Sequence, residues 1–329
     1  MNEKKSPWRI TFDTNPDLCN LHCIMCEGHS KFAAKTRQDR IMPFEIIEKT
    51  VAETAQFGLR EIIPSTMGEP LLYKDFEKIL DLCKKYNVEL NLTTNGSFPR
   101  FGAKKWAELI VPLTCDVKIS WNGATKETYE SIMQGNSWEK SLQNVKNFIA
   151  IRNEHFKQGG NYCRLTFQLT FMEKNINELA DIVKLAIDLG VDRVKGHHLW
   201  VNFDEMENEN MRRNANSINR WNEAVKKVSE VANGKNIVLQ NIFELKENTT
   251  GELMQNSICP FLGQEAWFNT EGEFSPCCAP DELRKTLGKF GNITEKDFFE
   301  IWESKEYKDL CENYGMIELC KKCNMRRGT

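Results

Sequence analysis

The sequence predicts a parallel α/β domain followed by a smaller cysteine-bearing module. Strand-like and helix-like segments alternate about six times across the first two-thirds of the chain. That rhythm changes after about Asn236, and the remainder holds half of the twelve cysteines. Repeated β-α alternation with short connections implies a parallel sheet, either open and doubly wound or curved into a full or partial barrel.

Trp8 to Thr14 (WRITFDT) is the first strand, rich in β-formers of alternating character. Pro43 to Phe57 opens on proline, carries apolar residues at helical spacing and ends at Gly58. Glu61 to Pro64 is a short strand, and Asp75 to Tyr86 is an amphipathic helix with an acidic start. Val88 to Thr94 is a strand stopped by the turn pair Asn95-Gly96. A helix at Ala103 to Ile110, a strand at Asp116 to Trp121 and helices at Lys126 to Met133 and Trp138 to Asn153 follow. The last units are a strand at Arg164 to Phe171, a helix at Ile176 to Leu189, a strand at Arg193 to Trp200 and a helix at Asn214 to Ala232. Beyond them, Trp267 to Phe274 (WFNTEGEF) reads as a hairpin and Glu295 to Tyr314 as helical. The chain therefore divides into a domain over 1–235 and a module over 236–329, with no internal repeat.

The chain has 329 residues, a net charge of −3, 40% hydrophobic and 28% charged residues. A dedicated nucleic-acid binder would carry a net basic field, which is missing here. No apolar run approaches the roughly 18–20 residues that cross a bilayer. Met1 to Pro7 is polar, without the apolar segment of a signal peptide, so a soluble cytoplasmic protein is expected. In that reducing compartment twelve thiols point to metal or redox chemistry rather than disulfides.

Directly after the first strand, Cys19, Cys23 and Cys26 form a C-x3-C-x2-C triplet in a polar loop. Three thiolates so close suit a [4Fe–4S] cluster with one iron left open, since such a cluster takes one thiolate per iron. Zinc completed by His22 or His29 is the competing occupant. The arrangement resembles the radical S-adenosylmethionine (radical SAM) superfamily. The resemblance implies a partial (β/α)6 TIM-like barrel and an open iron that chelates S-adenosylmethionine. Met25 stands where that superfamily often has an aromatic residue.

The same resemblance assigns cofactor-contacting positions at successive strand ends, where barrels place their sites. Gly68, Glu69 and Pro70 match the family's G-E-P element, in which Glu69 would accept from the ammonium of the cofactor. Asn95 follows the third strand, and Ser120 and Asn122 flank the end of the fourth, Asn122 replacing a more frequent aspartate. Gln168 on the fifth strand is placed to reach the ribose or carboxylate.

Downstream, Cys259-Pro260, the hairpin, Cys277-Cys278, Gly291-Asn292-Ile293 and the pair Cys320/Cys323 resemble the Twitch form of the SPASM module. That resemblance implies an auxiliary [4Fe–4S] cluster on Cys259, Cys277, Cys320 and Cys323, with structural zinc as the alternative. Cys278 is a replacement ligand, a small buried residue or a hydrogen-atom donor. Cys83, Cys115 and Cys163 are expected in the core.

His197 and His198 are the catalytic candidates, and strand alternation sends them to opposite faces. Trp121 and Trp200 line the pocket or fill the core, and the acidic stretch Asp204 to Asn210 reads as a solvated loop. The family resemblance implies an oxidoreductase that makes a 5′-deoxyadenosyl radical and dehydrogenates or epimerises a small polar substrate. A sugar, cyclitol or aminoglycoside-like alcohol is expected, from the triplet's position near the start of the chain and the short second module. A peptide or protein side chain is the alternative substrate, and a zinc-stabilised scaffold the non-enzymatic alternative. A flavodoxin or ferredoxin is the expected electron donor, with neither nucleic acid nor membrane as partner.

Overall fold

A computed structural model describes residues 5–33, 38–65, 67–245, 258–279, 281–321 and 323. The barrel strands are β1 (Arg9–Phe12), β2 (Glu61–Ile63), β3 (Glu89–Thr94), β4 (Thr114–Ser120), β5 (Arg164–Phe171), β6 (Arg193–His198) and β7 (Val238–Gln240). Between them run α1 (Phe44–Thr54), α2 (Phe76–Tyr86), α3 (Gly102–Ile110), α4 (Lys126–Ile132), α5 (Trp138–Lys157), α6 (Glu173–Ile176), α7 (Leu179–Leu189) and α8 (Ala215–Ala232). The C-terminal part adds strands β8 (Glu265–Phe268) and β9 (Phe274–Ser275) with helices α9 (Asp281–Arg284), α10 (Phe298–Trp302), α11 (Lys305–Asn313) and α12 (Glu318–Lys321).

All nine strands join one sheet in the order β7-β6-β5-β4-β3-β2-β1-β8-β9, parallel except for the β8–β9 hairpin. This is the partial TIM-like α/β barrel, with β7 and β9 at the two ends of the strand order among the described residues. Just beyond the boundary expected at 235/236, Val238, Leu239 and Gln240 pair with Arg193, Val194 and Lys195. The C-terminal part also continues the sheet, since β8 pairs in parallel with β1 from Arg9↔Glu265 to Phe12↔Phe268.

The two faces of the sheet differ in chemistry. Toward the helices point Ile10, Phe12, Ile62, Leu90, Leu92, Val117, Ile119, Leu165, Phe167 and Val194, all fully buried. Amphipathic helices cover that face, and their ends follow from local chemistry. Thr125, Ser137 and Asn214 accept backbone N–H bonds at the starts of α4, α5 and α8. α7 ends at Gly190 with φ 81°, a left-handed position that suits glycine.

The concave face is polar. Arg9 donates to Glu61 at 2.7 Å and to Glu265 at 3.2 Å, and Asn91 donates to Glu61 at 2.8 Å. Lys118 donates to Asn91, Arg193 to Asp116, and Thr166 to Asp116 at 3.0 Å. Joined by the Lys118–Asp116 ion pair at 3.9 Å, these bonds form a continuous ladder across the barrel floor. A closed TIM barrel fills this space with branched apolar side chains; here it is a polar lumen.

Candidate functional site

The triplet loop sits over the lumen at the carboxyl ends of the strands and is held by backbone bonds from several sides. His22 N–H donates to Gln134 O at 2.8 Å and Ile24 N–H to Ile132 O at 3.0 Å, fixing the loop to the end of α4. Asn15 Nδ2 donates to Glu69 O at 2.8 Å, and Glu69 N–H donates to Leu18 O at 2.9 Å. Gly68 explains why this join needs glycine. A Cβ there would fall 1.9 Å from Asn15 O and 2.8 Å from Leu18 O. The glycine thus lets the turn press against the backbone of the triplet loop.

Glu69 is buried, and its carboxylate accepts from Thr94 Oγ1 at 2.7 Å, Asn95 N–H at 2.8 Å and Leu71 N–H at 3.3 Å. Burial pushes its carboxyl up to about 7, against those bonds. Two of these bonds tie the G-E-P turn, with buried Pro70, to the end of β3, and the third caps the turn itself at Leu71. Asn95 in turn donates to Asn20 Oδ1 at 2.9 Å and reaches Cys19 Sγ at 3.8 Å. Asn122 is fully enclosed: its Oδ1 accepts from Thr170 N–H at 2.8 Å and its Nδ2 reaches Met133 Sδ at 3.2 Å. The direct cofactor contact expected of its side chain does not fit that placement; it braces the loop through Met133, which lies 3.7 Å from Cys23 Sγ.

Ser120 and Gln168 are half-buried on the lumen face. His197 shares that face, exposed into the lumen, with Gln168 Nε2 3.4 Å from its Nδ1. Its crowded setting and the charge of Lys195 hold the imidazolium form below the usual range. His198 is a correction. It points into the helix layer, 4.5 Å from the Trp221 ring and 5.5 Å from Phe171, and cannot meet a substrate in the lumen. Burial, with Arg212 and His197, lowers it to about 3, and its Nδ1 has no protein partner. Trp121 likewise belongs to the core, stacked on Phe167 at 4.6 Å, while Trp200 is exposed.

Cys19, Cys23 and Cys26 are half-buried and close enough that Cys23 senses Cys19 and Cys26, and Cys19 senses Cys26. Burial raises all three thiols, Cys19 to about 11, so metal binding there must release protons. In the second group Cys259 senses Cys277 and Cys323, and Cys323 N–H donates to Cys320 O at 3.3 Å. Cys278 is exposed, which does not suit the small buried residue among its three alternatives. It donates to Cys277, favouring a Cys277 thiolate and raising its own thiol. Cys83 and Cys163 are in the core, but Cys115 is half-buried beside Glu61 and Glu89 at the strand entrances.

A tetrahedral zinc with Zn–S near 2.3 Å would bring thiolates within about 3.8 Å of one another. Among the described residues, the one set of three or more such ligand atoms all within 4.8 Å is Glu61, Glu89 and Cys115. Neither cysteine group is drawn in to that spacing among the described residues, and each offers the thiolate donors that an iron–sulfur cluster takes.

Sequence reasoning missed Asp13 and Asn15, which anchor the loop's root, and Lys118, Arg193 and Lys195 in the lumen. The signal for Asp13 was present, because alternation from Arg9 and Thr11 puts it on the lumen face.

A family profile for the radical SAM superfamily matches residues 16–186, and one for the SPASM iron–sulfur cluster-binding domain matches 259–324. The chain belongs to the radical SAM superfamily and carries a C-terminal SPASM-type module. Those domains imply a [4Fe–4S] cluster that works with S-adenosylmethionine and an auxiliary cluster. A probable GTP 3′,8-cyclase of Sulfurisphaera tokodaii is 28% identical over 179 residues, 54% of this chain and 51% of that protein. The match thus spans about half of the cyclase. A tungsten-containing aldehyde ferredoxin oxidoreductase cofactor-modifying protein of Pyrococcus furiosus is 22% identical over 325 residues, 94% of this chain and 85% of that protein. Among solved structures, Streptococcus suis SuiB bound to S-adenosylmethionine superposes with a TM-score of 0.68 at 16% identity, covering 96% of this chain and 72% of that chain. SuiB bound to its precursor peptide SuiA gives 0.66, again at 16% identity, with 98% and 72% covered. Among the described residues no helix is long and apolar enough to cross a membrane.

Proposed function

We propose that this radical SAM enzyme abstracts hydrogen from a small polar substrate held in the barrel lumen, as an oxidoreductase of the dehydrogenase or epimerase type. The observation that carries this reading is the polar concave face, where a hydroxyl-rich sugar, cyclitol or aminoglycoside-like alcohol finds partners in Ser120, Thr170, Gln168, Lys195 and His197. Cys19, Cys23 and Cys26 would hold the first cluster, and Cys259, Cys277, Cys320 and Cys323 the auxiliary one. When bound, these groups supply one-electron chemistry: reductive cleavage of S-adenosylmethionine at the first, and an electron acceptor or donor at the second.

The chain's own residues supply position and protons. Gly68, Glu69 and Asn95 hold the loop, and Gln168 orients the His197 ring. The exposed Cys278 thiol, kept protonated beside Cys277, is the candidate hydrogen-atom donor in an epimerisation. The ladder from Glu265 to Arg193 closes the lumen floor. A flavodoxin or ferredoxin fits as donor of the first electron.

A peptide substrate is the second reading, favoured by the likeness to SuiB, which was solved with SuiA. Anaerobic reconstitution tests both. About eight irons per chain and dithionite-dependent 5′-deoxyadenosine are expected, and replacing Cys19, Cys23 and Cys26 by Ala should remove half the iron and all cleavage. Two zinc ions and no cleavage would refute the enzyme. Deuterium transfer into 5′-deoxyadenosine from labelled alcohols, rather than from labelled peptides, separates the two substrate classes.

A further inference from the structure

The residue that ends the lumen face of β1 is Asp13, and its carboxylate accepts from Arg284 of α9 at 2.7 Å across 271 positions of sequence. Both side chains are buried, with 6% and 7% of their surface exposed. A buried ion pair is seldom a net source of stability, because desolvating both charges offsets their attraction. Its retention here asks for another reason, and its neighbours supply one.

Asp13 heads a tripod under the triplet loop. Its own N–H donates to Phe268 O of β8 at 2.9 Å. Thr14 Oγ1 donates to Pro64 O at 2.7 Å, and Asn15 Nδ2 to Glu69 O at 2.8 Å. Four residues further on is Cys19. On the other side, Arg284 follows Cys277 by seven residues, and Phe268, which accepts from Asp13, pairs with Phe274 of β9, three residues before Cys277. The pair thus joins the root of one cysteine site to the flank of the other.

We propose that the Asp13–Arg284 pair is a positioning device that fixes the auxiliary cysteine site against the radical-initiating loop and sets the electron affinity of the group held there. This rests on the assignment of an auxiliary cluster to Cys259, Cys277, Cys320 and Cys323. Cluster potentials respond to net local charge. Losing the Arg284 cation should therefore make the auxiliary cluster harder to reduce, and losing the Asp13 anion should make it easier.

The test is an EPR-monitored redox titration of the reconstituted full-length protein, alongside thermal melts. Arg284→Gln should lower the auxiliary midpoint, with a change of about tenfold in the reduction equilibrium, or 59 mV for one electron. Asp13→Asn should raise it, Arg284→Lys should keep it, and the Asp13→Asn/Arg284→Gln double variant should return toward the parent value. A merely structural pair would lower the melting temperature in both single variants without moving the potential in opposite directions. That result, or shifts of the same sign, overturns the proposal. If one single variant fails to reconstitute, the other single variant against the double variant still differs by one charge and isolates its effect. Iron content distinguishes the failure of the underlying assignment: a parent protein with about four irons and a single EPR species has no auxiliary cluster at all.

Discussion

The lumen face and the helix face of this sheet are built from the same strands, yet they behave as two different materials. In β5, Leu165, Phe167, Leu169 and Phe171 enter the helix layer while Thr166, Gln168 and Thr170 line the lumen. Buried parallel strands are usually apolar on both faces. Here one face carries burial energy and the other carries an ordered set of donors, acceptors and charges. The difference teaches where function and stability separate. Substitutions toward the helices should change folding, and substitutions toward the lumen should change chemistry.

Trp121→Ala gives the largest effect on the helix side. The indole stacks on Phe167 and lies 4.8 Å from Tyr129 and 5.3 Å from Trp138, so its removal leaves a cavity among three other large rings. A loss of about 3–5 kcal/mol is expected, read as a melting temperature lower by on the order of 10 °C. A melt unchanged within error would mean that this face is not the stability core.

His197→Gln should show the opposite pattern. The ring projects into the lumen beside Gln168, so stability should stay within about 0.5 kcal/mol of the parent. Coupled product formation should fall by up to about 100-fold, as when a substrate is misplaced by about an ångström. Dithionite-driven 5′-deoxyadenosine release should persist, because the triplet loop is untouched. Equal losses of folding and turnover would collapse the distinction between the faces.

Much of this division is legible in the sequence, but not all of it. Period-two alternation showed that His197 and His198 point opposite ways, and it could not say which faces inward; the pairings Thr170↔His197 and Phe171↔His198 decide that. The β-α alternation and the cysteine spacing gave the architecture, since both are local patterns. The Asp13–Arg284 pair joins residues 271 positions apart, and no local pattern encodes it. The sequence marks Gly68 as part of a cofactor-contacting element, and its close approach to Asn15 O is visible only in the folded loop. Cys115 was expected in the core because strands usually bury such residues. The register shift between Leu90 and Asn91 places it instead beside Glu61.

His198→Phe makes the finest comparison between the faces, because it alters the histidine next to His197 and leaves the lumen intact. In the folded chain His198 is held neutral down to about pH 3, chiefly by burial and secondarily by Arg212 and His197, against an ordinary value of 6.5. Below pH 6.5 the unfolded chain takes up a proton that the folded chain refuses. Its contribution is therefore complete above about 6.5 and is lost as pH falls toward 3, at no more than about 1.4 kcal/mol per pH unit. Glu69 acts in the reverse sense: its raised carboxyl keeps a proton in the fold up to about pH 7, so its contribution weakens as pH rises through that range. Subtracting the unfolding free energies of His198→Phe from those of the parent, pH by pH, cancels Glu69 and isolates the histidine. The phenyl ring should fill the space between Phe171 and Trp221 and flatten the acid limb between pH 4.5 and 6.5, with little change above pH 7. Parallel profiles for the two proteins would mean that His198 is charged in the fold, and the helix face would then be less apolar at this point than its packing implies.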